Sequence, residues 1–228
     1  MHSVFWTLAK SHHRMPPGQR RGNALPWENE DTADIVPQTP DAGATDYSYN
    51  AFIQESTLDE IAFIGGADPL ELRRRLMSPY PTAIKLIDRI ELMSDWKASL
   101  PEGKARGFAF AFSSGTWIAQ VVQIGRTAGG LQVEKVFCVA DAGFVRDERM
   151  LGAEVVASIR SGLTAAIGTD AGPQDPPIDV ELLHNSTNIG GTGKLAAPLV
   201  ASALANAVFA LTGKRVRSVP LGDEVVFA

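Results

Sequence analysis

The amino-acid sequence predicts an α+β domain, in which helices pack on a mixed or antiparallel β-meander. Apolar residues recur at helical spacing in the stretch that follows residue 50. Three patterns typical of β-strands come next, beginning with GFAFAFSSG, in which phenylalanine alternates with small residues. Two apolar helical patterns then flank one short strand. Because helices and strands are grouped rather than regularly alternating, the order favours an α+β fold over a parallel α/β fold.

Composition excludes several classes of protein. The chain has 228 residues and a formal net charge of −5, which argues against a binder of nucleic acid or of a membrane surface. Its single cysteine, Cys138, excludes an internal disulfide and a four-cysteine zinc site, and its apolar neighbours predict a buried thiol. No apolar run approaches the roughly 18 residues of a membrane span. The N-terminus lacks the pattern of a secretory signal, so we expect a cytoplasmic protein without a membrane span.

Residues 1–47 differ from the rest and are predicted to form an extended or partly disordered arm before a domain at 48–228. Basic residues without acids occupy 1–22, whereas acids without bases occupy 28–46. Five prolines disfavour regular helix there. The arm also holds apolar residues that are costly to leave in water, so we expect it to lie along a surface of this chain or of a partner. The arm's three histidines match no metal-site spacing.

Three helices are predicted at the start of the domain. The first covers 50–64 and ends at two glycines. Asp68 as N-cap and Pro69 as first helical residue begin the second, and the third covers about 82–94. The three arginines at 73–75 are spread around the second helix, which favours a solvated face over an anion site.

The rest of the domain is predicted as strands and two long helices. GFAFAFSSG, WIAQVVQI and LQVEKVFCVA are predicted as strands, and the glycines of GRTAGG suit a hairpin between the last two. A helix follows over 147–167, then a strand in IDVELLH, and then an Ala-rich helix that Gly213 ends. That helix is apolar nearly all round, which predicts burial on most sides. The apolar stripe of the helix at 147–167 comprises Met150, Leu151, Val155, Ile159, Leu163 and Ile167.

The turn GGTGK before the Ala-rich helix resembles a phosphate-binding loop only in part. A P-loop requires a glycine where this chain has Asn188 and a hydroxyl where it has Leu195. Two interpretations of the turn stay open from the residues alone. Its glycines could let the backbone pack closely against a neighbour, or its N–H groups could hold a small anion at a helix N-terminus. His184 is interpreted as a core or rim histidine rather than a base.

Several spaced motifs together resemble the molybdopterin-binding large subunits of the xanthine dehydrogenase and aldehyde oxidoreductase superfamily. The first is NAFIQESTLDEIAFIGGADPLELRRRL, and the last is GGTGKLAAPLVASALANAVFALTGKRVRSVPL. Between them, GKARGFAFAFSSGTWIAQVVQI and LQVEKVFCVADAGFVRDE are similar to family strands and to a D-x-G turn. The resemblance covers about residues 48–221 and is nearest to the isoquinoline 1-oxidoreductase β-subunit type.

The resemblance implies a function and a set of site residues. Family members hydroxylate aldehydes or N-heterocycles at a molybdenum–pterin cofactor bound between two halves, and this chain resembles only the last part. It therefore implies a subunit that needs another chain for a complete cofactor site. The resemblance places cofactor contacts at Gly190, Gly191, Thr192 and Gly193. It places the substrate pocket at Ser113, Ser114 and Gly115.

The functional positions depart from the family pattern. Lys194 stands where the family has its catalytic glutamate, and a protonated lysine cannot accept a proton from a cofactor ligand. Thr45–Ser48 replaces an Arg-Gly-x-Gly segment, Leu151–Glu154 replaces a glutamine-glycine contact, and the loop between Gly168 and Pro176 is short. The alternatives are therefore a non-catalytic relative that acts in assembly, through a partner or self-association, without bound cofactor, and a small-anion binder at Gly190–Lys194.

Overall fold

The structure, a computed structural model, describes residues 45–113, 115–168, 175–187, 189–190 and 196–228, with side chains from residue 51 onward. The predicted arm, apart from its last three residues, and its histidines lie outside the described residues. Within the described residues, five α-helices and four strands follow in chain order, with a short 3-10 helix at Leu221–Asp223. The helices are α1 Thr45–Ile64, α2 Pro69–Leu76, α3 Pro81–Met93, α4 Glu148–Ile167 and α5 Ala196–Thr212. The strands are β1 Lys104–Ser113, β2 Thr116–Arg126, β3 Leu131–Asp141 and β4 Ile178–Leu182.

Local signals in the sequence set the helix boundaries. The Asp68 carboxylate accepts hydrogen bonds from the N–H groups of Leu70 and Glu71, both at 2.9 Å, and Pro69 opens α2 as predicted. Asp147 caps α4 in the same way, by accepting from the N–H of Met150 at 2.9 Å. These side chains satisfy N–H groups that have no partner inside a helix. The α1 helix begins at Thr45, earlier than the sequence pattern indicated.

The sheet is mixed, with strand order β1-β2-β3-β4. The first three strands form an antiparallel meander, and β4 pairs with β3 in parallel after the chain has crossed over through α4. Such a parallel neighbour needs a long crossover connection, which a helix commonly supplies. The predicted α+β class is confirmed, with one parallel pair added to the meander.

Helices cover both faces of the sheet. Phe108 and its β2 partner Val121 are fully buried on the face beneath α2 and α3, where the Arg73 guanidinium lies over the Phe108 ring. Ala109 and Ile118 belong to the core on the opposite face, together with residues of α4 and α5. The alternation of large and small residues along β1 therefore separates two packed layers, because successive side chains point to opposite faces.

The Ala-rich helix α5 lies at the centre of the second layer. It contacts β1, β2, α1 and α4, and the burial predicted from its composition is confirmed. Small side chains let neighbouring backbones approach the helix closely. The buried residues of α5 are Ala196, Leu199, Val200, Ala201, Ser202, Ala203, Leu204, Ala205, Asn206, Ala207 and Val208.

The helix α4 is long and apolar enough, by length and composition alone, to cross a membrane. The sequence pattern had suggested no such segment. One face of α4, with Val155, Ile159 and Leu163, is buried in the core. A core helix passes the same test, so α4 is only weak support for a membrane span.

Two side chains lie where the sequence pattern did not predict them, and a third, apolar side chain is exposed near the end of α1. Arg73, predicted on a solvated face, is 1% exposed. Conversely Met150, placed in the apolar stripe of α4, is 60% exposed, and Phe63 near the end of α1 is 68% exposed. Phe63 packs edge-on against Phe209 of α5, with ring centroids 5.0 Å apart. Helical spacing identifies one apolar face, but the neighbouring elements decide how far along the helix that face is covered.

Candidate functional site

One end of the sheet brings together described residues of the predicted site. Ser113 ends β1 and pairs with Thr116, which begins β2. Gly115 lies in the turn between them, with a φ of 77° that glycine adopts readily. Trp117, which follows Thr116 in β2, pairs with Asp141 at the end of β3. The β1–β2 turn and the end of β3 are therefore neighbours. Ser114, in the same predicted pocket, lies outside the described residues.

Gly190 lies against this end of the sheet. Its N–H donates to the Ala142 carbonyl oxygen at 2.7 Å, and Gly143 forms an isolated bridge with Ile189. A Cβ at position 190 would lie 2.3 Å from Thr116 Oγ1 and 2.8 Å from the Ala142 oxygen. Only glycine fits there without displacing the backbone. This contact favours close packing over anion binding at Gly190 itself, because the N–H is already used.

The remainder of the predicted turn lies outside the described residues. Gly191, Thr192, Gly193 and Lys194 are in this group, so their assigned roles stay predictions. The described chain resumes at Ala196, the first residue of α5, which is fully buried. The turn is thus bounded by Gly190 at one side and by the start of a core helix at the other.

Asp141 fixes the segment that leads to Gly190. Its side chain is fully buried and accepts three backbone hydrogen bonds, from Gly143 at 3.0 Å, Asn185 at 2.6 Å and Ser186 at 3.2 Å. The bond from Gly143 closes a turn typical of aspartate two residues before the donor. The site residues predicted from sequence did not include Asp141, although the D-x-G motif at the end of a predicted strand was a signal for it.

Cys138 and His184 are two further reactive side chains among the described residues. Burial raises the pKa of the Cys138 thiol to about 12, so a thiolate does not form near neutral pH. His184 is 46% exposed at its side chain and lies 3.4 Å from Glu148, at the rim of the domain. Over the part of the chain that the structure describes, no group of three or more His, Cys, Asp or Glu could hold a metal ion.

The first of the spaced motifs forms part of a buried ionic network. Arg73 donates from Nε to Glu55 Oε2 at 2.8 Å and from Nη2 to the Glu55 carbonyl at 2.9 Å. The same carboxylate accepts from the N–H of Phe110 in β1 at 2.9 Å. Burial raises the pKa of Glu55, although Arg73 opposes that effect. These contacts join α1, α2 and β1.

The closing motif supplies the other half of the network. Arg215 donates to Asp59 Oδ2 and to Asn206 Oδ1, both at 2.9 Å, and its guanidinium lies 3.6 Å from the centroid of the Phe209 ring. Burial raises the pKa of Asp59, with the Arg215 hydrogen bond opposing it. Asn206 also donates to the Phe108 carbonyl at 3.0 Å. These motif residues therefore hold the fold together and lie in its core.

Three exposed apolar side chains belong to segments near the candidate site. Phe144 is 72% exposed and follows Gly143, whose bridge partner Ile189 is 80% exposed. Met150 is exposed in the first turn of α4. That turn lies beside the same segment, because Glu148 is close to His184. We call Phe144, Met150 and Ile189 the apolar rim. Burying side chains of this size is favourable.

No family model matches the chain. Two curated relatives are similar in sequence. The beta subunit of isoquinoline 1-oxidoreductase from Brevundimonas diminuta is 28% identical over 194 residues, covering 75% of this chain and 25% of the relative. A subunit of nicotinate dehydrogenase from Pseudomonas putida is 29% identical over 219 residues, covering 78% of this chain and 18% of the relative. The chain thus matches only a quarter or less of each relative's length.

A solved structure shares the fold. The aldehyde oxidoreductase from Desulfovibrio gigas superposes with a TM-score of 0.61 at 10% sequence identity, over 75% of this chain and 39% of that one. At this identity the likeness supports the fold alone. The fold prediction made from the spaced motifs is confirmed.

Proposed function

We propose that this chain is one subunit of a molybdopterin-dependent oxidoreductase. Its spaced motifs resemble the large subunits of such enzymes, and its two curated relatives are subunits of isoquinoline 1-oxidoreductase and of nicotinate dehydrogenase. Another chain supplies the remainder of the cofactor site. The names of the two curated relatives point to N-heterocycles as substrates, and that of the solved relative to aldehydes. The expected cytoplasmic location belongs to the same proposal.

The observation that carries the proposal is the exposure of large apolar side chains beside the candidate site. Ser113, Gly115 and Gly190 gather at one end of the sheet, and the apolar rim beside them is exposed. Three large apolar side chains at one edge favour contact with another surface. The relatives contain several times more chain than the matched part. The described residues therefore suit one wall of a pocket whose opposite wall belongs to a partner.

The residues of this chain that could contact the cofactor belong to that wall of the pocket. The half-buried Ser113 hydroxyl and the backbone around Gly115 could face a pterin, and Gly191 to Gly193 are the further predicted contacts. Gly190 contributes through its close packing, because its N–H is bonded to Ala142. When bound, the cofactor supplies the redox chemistry, and this chain's residues hold and orient it. Lys194, if protonated, cannot act there as a proton acceptor.

A second candidate function follows from Lys194. With lysine in place of the family's glutamate, the chain would keep the fold and the apolar rim, and act in assembly with a partner or a second copy. Exchanging Lys194→Glu in the complex distinguishes the two functions. A gain in molybdenum content or activity supports the catalytic context, whereas no gain in either supports the assembly role.

The test is native purification of the full chain with whatever co-purifies, followed by measurement of molybdenum and pterin. A partner together with both supports the oxidoreductase subunit. A partner without either supports the assembly role, and no partner contradicts both. We expect Ile189→Asp to release the partner, because it places a charge in the apolar rim. Ile64→Asp is the matched control, since Ile64 is 83% exposed at the end of α1.

A further inference from the structure

The two edges of the sheet differ in how their backbone groups are satisfied. At the β1 edge, the Glu55 carboxylate accepts a hydrogen bond from the N–H of Phe110 at 2.9 Å, and the Asn206 amide donates to the Phe108 carbonyl at 3.0 Å. Side chains of α1 and α5 thus take the place of a further strand at that edge. The opposite edge is β4, whose neighbour in the described sheet is β3.

The backbone of β4 has three residues that face away from β3. The Pro177 carbonyl accepts from the N–H of Val136 at 3.0 Å, and the N–H of Leu183 donates to the Ala140 carbonyl at 2.8 Å. In a parallel pair, residues that bond the neighbouring strand alternate with residues whose N–H and C=O groups point the other way. No described residue donates to or accepts from the backbone groups of the outward set. That set is Ile178, Val180 and Leu182.

We propose that the β4 edge binds an extended segment of a partner protein, which adds a fifth strand to the sheet. A row of unpaired N–H and C=O groups is a template for another strand, and strand addition of this kind is a recurring mode of peptide recognition. Pairing begins at Ile178, because Pro176 at the preceding outward position has no N–H. The edge contains none of the apolar rim residues, and its role does not depend on a bound cofactor.

The side chains of β4 define the chemistry of the segment that fits. Ile178, Val180 and Leu182 pack against the core and are only partly buried. Apolar side chains of an incoming strand on the same face would cover them. The intervening residues, Asp179 and Glu181, point to the other face and are both acidic. A segment in which apolar and basic residues alternate therefore matches this edge.

The charges argue against a second copy of this chain as the occupant. Two copies related by a two-fold axis at Val180 would pair antiparallel, with Asp179 of one copy opposite Glu181 of the other. Each acid has one cation, since Lys135 Nζ lies 2.8 Å from Asp179 and Arg89 Nη2 lies 2.6 Å from Glu181. Like charges directly opposite each other destabilise a strand pair, whereas opposite charges stabilise it. A partner strand with lysine or arginine at these positions is favoured instead.

NMR spectroscopy of the isotope-labelled full chain, titrated with the peptide acetyl-Lys-Val-Lys-Val-Lys-Val-Lys-amide, tests this inference. At saturation we expect the amide protons of Val180 and Leu182 to exchange with solvent about 10-fold more slowly, because they gain an acceptor. The amide protons of Asp179 and Glu181 already face β3 and should change little. This alternation along β4 distinguishes strand addition from general burial of the segment.

Modified peptides supply matched controls. Methylation of the valine nitrogens or of the lysine nitrogens removes one alternate set of N–H groups, and only one of the two sets can face β4. One methylated peptide should therefore lose binding while the other keeps it. The peptide with glutamate in place of every lysine should bind about 3-fold or more weakly, because it places acids opposite Asp179 and Glu181.

Variants of the chain test the same edge from its own side. Val180→Pro removes one outward N–H and leaves the bonds to β3, since proline is accepted on edge strands, and it should abolish peptide binding. Asp175→Asn, at an exposed acid before β4, is the matched control and should bind normally. Asp179→Asn combined with Glu181→Gln keeps every backbone group, so it should weaken binding of the lysine peptide even if Val180→Pro destabilises the fold.

Three outcomes overturn the inference. The first is the absence of any response of β4 amides at peptide concentrations up to about 5 mM, and the second is equal binding of both methylated peptides. The third is a dimer of the chain alone, detected by light scattering, that Val180→Pro converts to a monomer, because a second copy then occupies the edge. Molybdenum content of the natively purified complex decides the proposed function separately, since the peptide measurements use this chain alone.

Discussion

Arg73 and Glu55 form an ion pair in the interior of the domain, with Nη2 and Oε2 2.8 Å apart and side chains only 1% and 6% exposed. The pair joins α1 to α2, and its carboxylate also accepts from the backbone of β1 at Phe110. Charges in such a position are tolerated when hydrogen bonds satisfy them. The contact joins two residues of the first spaced motif that lie 18 positions apart in sequence.

Removing one member of the pair should destabilise the domain strongly. Arg73→Met leaves the Glu55 carboxyl buried without its partner, and we expect a loss of about 3–5 kcal/mol in the free energy of unfolding. Urea denaturation followed by tryptophan fluorescence measures it. The control is Arg75→Met, because the Arg75 side chain is 71% exposed, where ion pairs contribute about 0–1 kcal/mol. Equal effects of the two substitutions would contradict a structural role for the pair.

The raised pKa of Glu55 should make its contribution to stability fall as pH rises. Burial raises the pKa of Glu55 above its ordinary value of 4.5, so between these values the folded state binds more protons than the unfolded state. The contribution of Glu55 is therefore fully present below about pH 4.5 and is lost as pH rises through the raised pKa. We expect the stability of the wild type relative to Glu55→Gln to fall over that range in urea titrations.

Glu71 supplies the control of opposite sign. Its pKa is lowered, chiefly by the hydrogen bond from Arg74. Its contribution is present above its ordinary pKa and is lost as pH falls through the lowered value. The stability of the wild type relative to Glu71→Gln should therefore fall on acidification. If the stability of the wild type relative to each variant changed with pH in the same direction, the opposite pKa shifts of Glu55 and Glu71 would be contradicted.

Asp141→Asn should loosen the segment between β4 and Gly190. The substitution replaces one carboxylate oxygen by an NH₂ group, which cannot accept a hydrogen bond from the backbone N–H groups that face it. We therefore expect the free energy of unfolding to fall by about 2–3 kcal/mol. Limited proteolysis should show earlier cleavage at 183–190 than in the wild type. The matched control is Asp175→Asn, whose side chain is 75% exposed. Unchanged proteolysis in Asp141→Asn would mean that the three hydrogen bonds do not fix this segment.

Cys138 should be unreactive while the domain is folded. Its thiol is fully buried and its pKa is about 12, so alkylation at pH 8 should be about 1,000-fold or more slower than in the unfolded chain. Iodoacetamide labelling with and without denaturant measures the ratio. For comparison, Ser161→Cys introduces an exposed thiol on α4 that should react without denaturant. Rapid native labelling of Cys138 would contradict its burial.

The sequence motifs indicated which segments of the chain to consider for the candidate site. The spaced motifs led to Ser113, Gly115 and Gly190, and the fold places these three at one end of the sheet. The hydrogen bonds that join Gln120 of β2 and Ser158 of α4 to the start of α5 could not be predicted, because neither residue stands out in the sequence of its own element. Their partners, Ala196 and Ala197, lie 76 and 39 positions away in sequence. Such contacts appear only when the sheet and both helices are assembled.

The sequence by itself determined the order and type of the elements. Helical and strand spacing, the Asp68–Pro69 helix start and the glycines at helix ends act over a few residues, so local patterns suffice to place them. Tertiary structure alone decided which faces are covered. Arg73 became a core residue because Glu55 of α1 reaches it, and Met150 remained exposed because no described element covers the start of α4. Burial depends on contacts between distant segments, whereas periodicity records only the potential of one segment to be buried.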